Sequence, residues 1–417
     1  MKKLLLLMGI LSLACLGVAQ VNISPSREDE PFWERIYTLP DSCNRTYDIA
    51  TNAQGDIFVA TDKGLYKTSD YTATWESVWW ERNSPCTALD ISPNGTICLG
   101  RYSPDLLFSD DNGVSWESVE MYNPGSFEMY YRVKYFGNDT LFALPRCLGH
   151  GAYVDYSFDG GNTWNYKSIG NWNLDYTTDI TMAQDRVFYV CLAYFGNKSD
   201  DDRPAKGGVF RSSDCVEWEN VEIGNSVESF FVIASSEASK AIILGDMNNM
   251  AKGPVDDNIM LMRIRGCTFL DDNKVIACGS KTYISNDGGQ SFVSVDDANG
   301  GSRIIAGKDG YLYSVLWTWS QTLLTKSINP IDDLLHLNDY SYNKQVSVSP
   351  NPATNAVTIN FADTYFQLNV YSSDGTLVAS KVGQDTFALD VTDYKKGVYL
   401  FQIIVDNKIT THKIIIK

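Results

Sequence analysis

The stretch Ser157-Phe-Asp-Gly-Gly-Asn-Thr-Trp164 decides how this chain folds, because it keeps returning along the sequence. It recurs as Ser109-Asp-Asp-Asn-Gly-Val-Ser-Trp116 and as Ser285-Asn-Asp-Gly-Gly-Gln-Ser-Phe292. Looser copies stand at Thr68-Ser-Asp-Tyr-Thr-Ala-Thr-Trp75 and, one residue shorter, at Ser212-Ser-Asp-Cys-Val-Glu-Trp218. The phrase reads as a hairpin turn. The Asp and Ser/Thr side chains cap turn amides, Gly takes the positive φ, and the aromatic opens the next strand as a packing anchor. Asp70, Trp75, Asp111, Trp116, Asp159, Trp164, Asp214, Trp218, Asp287 and Phe292 are therefore assigned to the scaffold.

Working outward, consecutive copies at Asp70, Asp111, Asp159 and Asp214 stand 41–55 residues apart, the period of a propeller blade. Between residues 31 and 328 short β-rich runs alternate with Gly, Asn and Asp turns, and helical periodicity is nearly absent. Seven strand–turn–strand openings follow one another: Tyr47–Thr61, Thr87–Gly100, Arg132–Leu144, Asp179–Leu192, Phe230–Gly245, Cys267–Gly279 and Arg303–Leu316. The seventh unit ends near Ser327 without a fourth strand, while Phe32-Trp-Glu-Arg-Ile-Tyr37 imitates Trp75-Glu-Ser-Val. The N-terminal strand is expected to complete the last blade and so remove an exposed edge. The unit at 229–265 has no repeat turn and little room for a fourth strand. The expected fold is all-β: a seven-bladed β-propeller, six blades being the runner-up, followed by a small C-terminal β-sandwich.

The recurring phrase, S-x-D-x-G-x-[ST]-W, resembles the Asp-box (BNR repeat) of bacterial sialidases, sortilin-type receptors and related β-propellers. The resemblance implies that the repeats build blades and leave the activity open.

Residues 1–19 read as a secretory signal: Lys2-Lys3, the apolar run Leu4–Leu16, then Gly17-Val-Ala19 as cleavage site. Ser12-Leu-Ala-Cys15 lacks the aliphatic residue expected three before a lipoprotein cysteine. No other stretch approaches the ~20 apolar residues of a membrane span, so no transmembrane segment is expected after cleavage. The formal charge of −17 becomes −19 once Lys2 and Lys3 are lost, which argues against nucleic acid and anionic membranes as partners. Eight cysteines remain, and export permits disulfides. Cys267 and Cys278 flank the turn 271–274 and are the one specific disulfide suggestion; buried free thiols are the alternative.

Residues 329–345 read as a linker. From 346 come Val346-Ser-Val-Ser-Pro-Asn-Pro-Ala-Thr-Asn355, Tyr371-Ser-Ser-Asp-Gly375, Lys396-Gly-Val-Tyr-Leu400 and Lys413-Ile-Ile-Ile-Lys417, with period-2 alternation between. This stretch, 346–417, closely resembles the C-terminal sorting domain of Bacteroidetes type IX secretion cargo. The resemblance implies passage through the periplasm, recognition of the tail by the type IX machinery, and release or display at the outer-membrane surface.

A binding site is expected on the face carrying the loops before each first strand and between second and third strands, opposite the repeat turns. Those loops are rich in aromatics, including Tyr131, Trp172, Tyr194, Trp317 and Trp319. Half or more of them are expected to pack between blades; the remainder suits glycan or protein ligands. Arg132 and Arg303 both begin first strands, seven residues before the turn position held by Asp139 or Gly310, and so converge at the channel mouth. With Arg101 they could bind a carboxylate, as in a sialidase-like glycoside hydrolase acting on acidic glycans. The Phe/Tyr-Arg-Ile-Pro motif of that family is absent, since Glu34-Arg-Ile-Tyr37 lacks the proline. His150 lies on the same face, but His150, His336 and His412 are too scattered for a metal centre, and no cofactor is expected. The preferred reading is a secreted or cell-surface propeller that binds a glycan, host or envelope protein. Sialidase-like turnover and a structural or adhesion role in the envelope are the alternatives.

Overall fold

The computed structural model describes residues 31–417 except 41, 123–126, 148–149, 170–174, 195–206, 222, 224–228, 237–241, 247–252, 255–258, 280, 297–299, 317–323, 332–346, 374 and 406–407. The proposed signal peptide and most of the linker lie outside the described residues. Contacts divide the chain into two units, Met1–Leu335 and His336–Lys417.

In the first unit, β1 (Trp33–Ile36) precedes a run of four-stranded sheets. The first sheet comprises β2 (Thr46–Thr51), β3 (Ile57–Thr61), β4 (Gly64–Thr68) and β5 (Glu76–Trp79). The second comprises β6 (Cys86–Ile91), β7 (Ile97–Arg101), β8 (Ser103–Ser109) and β9 (Glu117–Glu120). The third comprises β10 (Phe127–Phe136), β11 (Thr140–Cys147), β12 (Tyr153–Ser157) and β13 (Asn165–Ser168). The fourth comprises β14 (Asp175–Ala183), β15 (Val187–Tyr194), β16 (Gly208–Ser212) and β17 (Glu219–Val221). The fifth comprises β18 (Phe230–Ala234), β19 (Ile242–Asp246), β20 (Gly253–Pro254) and β21 (Ile259–Met262). The sixth comprises β22 (Ile264–Phe269), β23 (Val275–Gly279), β24 (Thr282–Ser285) and β25 (Val293–Asp296). The last has β26 (Arg303–Ala306), β27 (Leu312–Val315), β28 (Leu324–Ser327) and, as its outer strand, β1. Trp33 pairs with Ser327 and Ile36 with Leu324, so the two ends of the ring close on each other by strand pairing and packing, without a covalent link. The likeness of residues 32–37 to an outer strand anticipated this pairing.

The first strands β2, β6, β10, β14, β18, β22 and β26 touch in cyclic order, β26 returning to β2. Apolar clusters lie between neighbouring sheets. Phe142 and Leu144 of the third sheet, for example, pack with Ile180, Met182 and Phe188 of the fourth.

The repeated turns share one bonding pattern. In the third sheet Ser157 Oγ donates to Asp159, Gly161 N–H donates to Ser157 Oγ, and Thr163 donates to Asp159 through N–H and hydroxyl. Trp164 Nε1 then donates to the Gly161 carbonyl. Around Asp70, Asp111 and Asp287 the carboxylate again accepts from the Ser or Thr hydroxyl two residues before it and from the Ser or Thr N–H four residues after it. Phe292 takes the place of tryptophan and is fully buried. These bonds hold the exposed carboxyls of Asp70, Asp111 and Asp159 down at about 2. Gly160 and Gly161 both sit at positive φ; in the loosest copy Tyr71 and Thr72 are forced there without glycine's freedom.

The fifth sheet departs from the pattern. Its spatial order is β18-β19-β21-β20, with β21 parallel to β19. No repeat turn is present to fold the third strand back, so the chain reaches the outer position first and returns inward.

In the second unit β29 (Ser347–Ser349), β30 (Ala356–Ser372), β31 (Leu377–Asp390), β32 (Gly397–Val405) and β33 (Lys408–Ile416) form one antiparallel sheet with β30 as its spine. Val357 and Ile359 point inward, then Phe366, Leu368 and Val370, because the register shifts between Phe361 and Tyr365. The sheet thus bends around a single core that also takes Phe401, Ile403, Ile414 and Ile416.

The Cys267–Cys278 disulfide is not formed: both thiols are free. Cys267 pairs with Ala277, and Cys278 with Gly266. A one-residue offset in an antiparallel pair puts the two side chains on opposite faces of the sheet. The other six described cysteines are free and buried.

Candidate functional site

The axis of the ring is built by homologous positions on the first strands. In β2, β6, β10, β14, β18 and β22 the pairing shifts register near the start, and the residues just after the shift are Asp48, Ala88, Arg132, Asp179, Val232 and Gly266. Arg303 opens β26. Arg132 and Arg303 are brought together, as their equal distance from the following turn anticipated, but they do not come alone. Arg132 Nη1 donates to Asp48 Oδ1 at 3.0 Å and Oδ2 at 3.1 Å, and its Nε stands 3.4 Å from Asp179 Oδ1. Arg303 Nε is 3.7 Å from Asp48 Oδ1. Its remaining contacts are to the Ser302 carbonyl at 3.3 Å and the Tyr131 carbonyl at 3.5 Å.

Two cations and two carboxylates therefore form a neutral layer across the axis. Burial works against the charge of Arg132, but Asp48, Asp179 and Asp90 outweigh it and hold its pKa above the ordinary value. Arg303 goes the other way: burial and the neighbouring Arg132 lower it, against the pull of Asp179 and Asp48.

Asp48, Asp90 and Asp179 share a second task that the sequence reading missed. Each accepts the N–H of its own following residue, Ile49, Ile91 or Ile180. Each also accepts an N–H from the first strand of the next sheet: Leu89 at 3.0 Å, Tyr135 at 2.8 Å and Ile233 at 3.3 Å respectively. The free inner edge of a first strand carries unpaired amides, and these carboxylates satisfy some of them. The signal was present as Asp48-Ile-Ala and Asp179-Ile-Thr, at one place in two openings, and as Asp90-Ile-Ser two residues further along a third.

The layer stands between two cavities. The smaller, about 70 Å³, is lined by residues at or before it, among them Tyr47, Thr87, Tyr131 and Thr178. The larger, about 260 Å³, is lined by residues at or beyond it, including Thr51, Asp90, Lys134, Thr268 and Ile305. Strand direction puts the larger cavity on the side of the first turn of each sheet. The repeat turns are there too: Gly160 N–H donates to the Asp139 carbonyl, and Asn52 donates to Asn112. Among the described residues the larger of the two cavities therefore faces the repeat turns, opposite the expected binding face.

Other candidates separate from the axis. Arg101 is held by Glu81 and Asp105 and lies 5.3 Å over Trp79. Tyr131 is buried beneath Arg146, which also covers Tyr176 at 4.9 Å. His150 is exposed, its N–H donating to the Cys147 carbonyl. Trp172, Trp317 and Trp319 lie outside the described residues, and Tyr194 is described only as the last residue of β15. Tyr130 and Tyr176 are packing residues, whereas Trp80 (62% exposed), Tyr102 (39%) and Tyr122 (48%) stay open.

Comparison with known proteins adds two findings. Residues 347–417 match the family of secretion system C-terminal sorting domains. No curated protein matches the chain. The extracellular domain of a putative hybrid two-component system from B. thetaiotaomicron superposes at TM-score 0.51 and 11% identity, covering 93% of this chain and 57% of that one. YCF48 bound to D1 peptide gives 0.47 at 17% identity, covering 73% and 99%. The WD40 β-propeller domain of Doa1 gives 0.46 at 10% identity, covering 72% and 98%. At these identities the likeness is one of fold alone; the four-stranded sheets whose first strands touch in cyclic order are what make the first unit a β-propeller. The C-terminal match makes the chain a cargo of the type IX secretion system, secreted or carried at the cell surface.

Proposed function

We propose that this protein is an extracellular, seven-bladed Asp-box propeller that binds a glycan or protein ligand without transforming it, and whose tail is a small sandwich. Seven four-stranded sheets with cyclically touching first strands support the blade count; six blades would leave one sheet without a place. The observation that carries the binding reading is the neutralised axis. A sialidase-like site needs its guanidinium edges free for the substrate carboxylate, and here Arg132 is taken up by Asp48 and Asp179. Open aromatic surface remains instead at Trp80, Tyr102 and Tyr122, on the segments before first strands or between second and third ones. Aromatic faces of this kind stack on sugar rings and anchor protein partners.

The test combines a fluorogenic sialoside with a glycan and protein binding screen on the purified protein. No turnover is expected, together with a saturable ligand whose affinity falls about 2–10-fold in each of Trp80→Ala, Tyr102→Ala and Tyr122→Ala. Turnover that disappears in both Arg132→Ala and Arg303→Ala would replace this reading with a hydrolase.

A further inference from the structure

In the larger axial cavity the cationic side chains keep spare hydrogen-bond donors while the carboxylates are saturated. Asp90 and Asp179 line it and Asp48 lies behind them on Arg132, and every oxygen of these three carboxylates already accepts a backbone N–H, an arginine or both. The cations are less well served. Arg132 Nε is buried and has no hydrogen-bond partner among the described residues. Arg303 makes no contact shorter than the 3.3 Å to the Ser302 carbonyl. The ammonium of Lys134, half-buried in the cavity wall, makes no ion pair or hydrogen bond among the described residues. Its ammonium offers three donors, and the Arg303 guanidinium offers five in a planar fork.

Buried donors left unpaired are costly, so a cavity with spare cationic donors and saturated carboxylates favours an occupant that accepts. Its volume of about 260 Å³ lies just under the ~300–1,000 Å³ of ordinary ligand sites, which excludes an oligosaccharide and admits a small acid. We propose that this cavity, on the repeat-turn face of the axis, binds a small oxyanion, a carboxylate or a phosphate, held between Arg303 and Lys134. Arg303 supplies the fork and Lys134 the second charge, while Asp48 and Asp179 keep Arg132 in place behind them. The site is separate from the exposed aromatics of the opposite face, and it stands or falls independently of a glycan ligand.

The experiment is calorimetric titration and thermal melting of the full chain with acetate, succinate and phosphate, each against chloride at equal ionic strength. Wild type is compared with Lys134→Gln and with Arg303→Lys, which keeps the charge but loses the fork. The expected result is saturable heat and a rising Tm with at least one of the anions, weakened tenfold or more in Lys134→Gln. Lys134 has no partner to lose, so this variant stays folded, as circular dichroism will check. Saturation by succinate or acetate alone assigns a carboxylate, and by phosphate alone a phosphate. No saturable heat with any anion, or an equal response in wild type and Lys134→Gln, overturns the site.

Discussion

At the scale of single residues, the axis is governed by Asp48. It is 1% exposed, and it joins its own strand, the next sheet and two arginines through one carboxylate. Asp155 shows the opposite case. It is equally buried on β12, its Oδ2 has no hydrogen-bond partner among the described residues, and burial raises its pKa well above the ordinary carboxyl value. Tyr130, Tyr153 and Cys147 are its titratable neighbours, and burial raises each of them as well. The folded state therefore keeps the Asp155 proton that the unfolded chain gives up near 3.9. Stability from this group is complete below that pH and falls as pH rises toward the folded pKa, by at most about 1.4 kcal/mol per pH unit. Asp155→Asn keeps the shape without the charge. Its melting temperature is expected to match wild type near pH 4 and to exceed it increasingly toward pH 8; parallel curves over that range would show that Asp155 is not held neutral. The convergence of Arg132 and Arg303 could be read from the sequence, because both stand at a fixed distance from a turn. Their neutralisation could not, since Asp48 and Asp179 come from sheets remote in sequence and only ring closure brings them near.

At the scale of elements, the repeat turn was the most legible feature, because each of its bonds is local: residues i, i+2, i+4 and i+6 supply nearly all of them. Where the phrase is missing, in the fifth sheet, local reading found neither the parallel β21 nor the outer β20. A parallel neighbour needs a longer crossover whose path no short motif encodes. The closing strand lies between these cases. Its likeness to an outer strand was visible in Trp33-Glu-Arg, but its depth was not. Trp33 is 6% exposed and its Nε1 donates at 2.8 Å to Thr282 of the neighbouring sixth sheet. Because β1 joins the ring's ends without a covalent link, its anchor bears on the whole first unit. Trp33→Phe is expected to cost about 1 kcal/mol through the lost hydrogen bond, and Trp33→Ala about 3–5 kcal/mol through the cavity as well. Denaturant titration reads both, and a Trp33→Ala protein as stable as wild type would mean that β1 does not hold the ring closed.

At the scale of the whole molecule, the chain is an export cargo that builds its stability without cross-links among the described residues. The sequence allowed either disulfides or buried thiols for the eight cysteines of residues 20–417, since spacing alone fixes neither face nor register. The sheets decide it. Seven of the eight thiols are buried and Cys267 is half-buried, all of them free. Burial raises the pKa of every one, so little thiolate is present to oxidise or exchange. Stability comes instead from the apolar clusters between adjacent sheets, from the carboxylates that bridge first strands, and from β1. That division of labour predicts how the folded protein meets redox chemistry. Its melting temperature is expected to be unchanged by millimolar dithiothreitol, and a thiol reagent is expected to label the native chain slowly but all eight cysteines of 20–417 after unfolding. A fall of several degrees on reduction, or fewer than eight reactive thiols in the unfolded chain, would reveal a disulfide and return part of the stability to covalent closure.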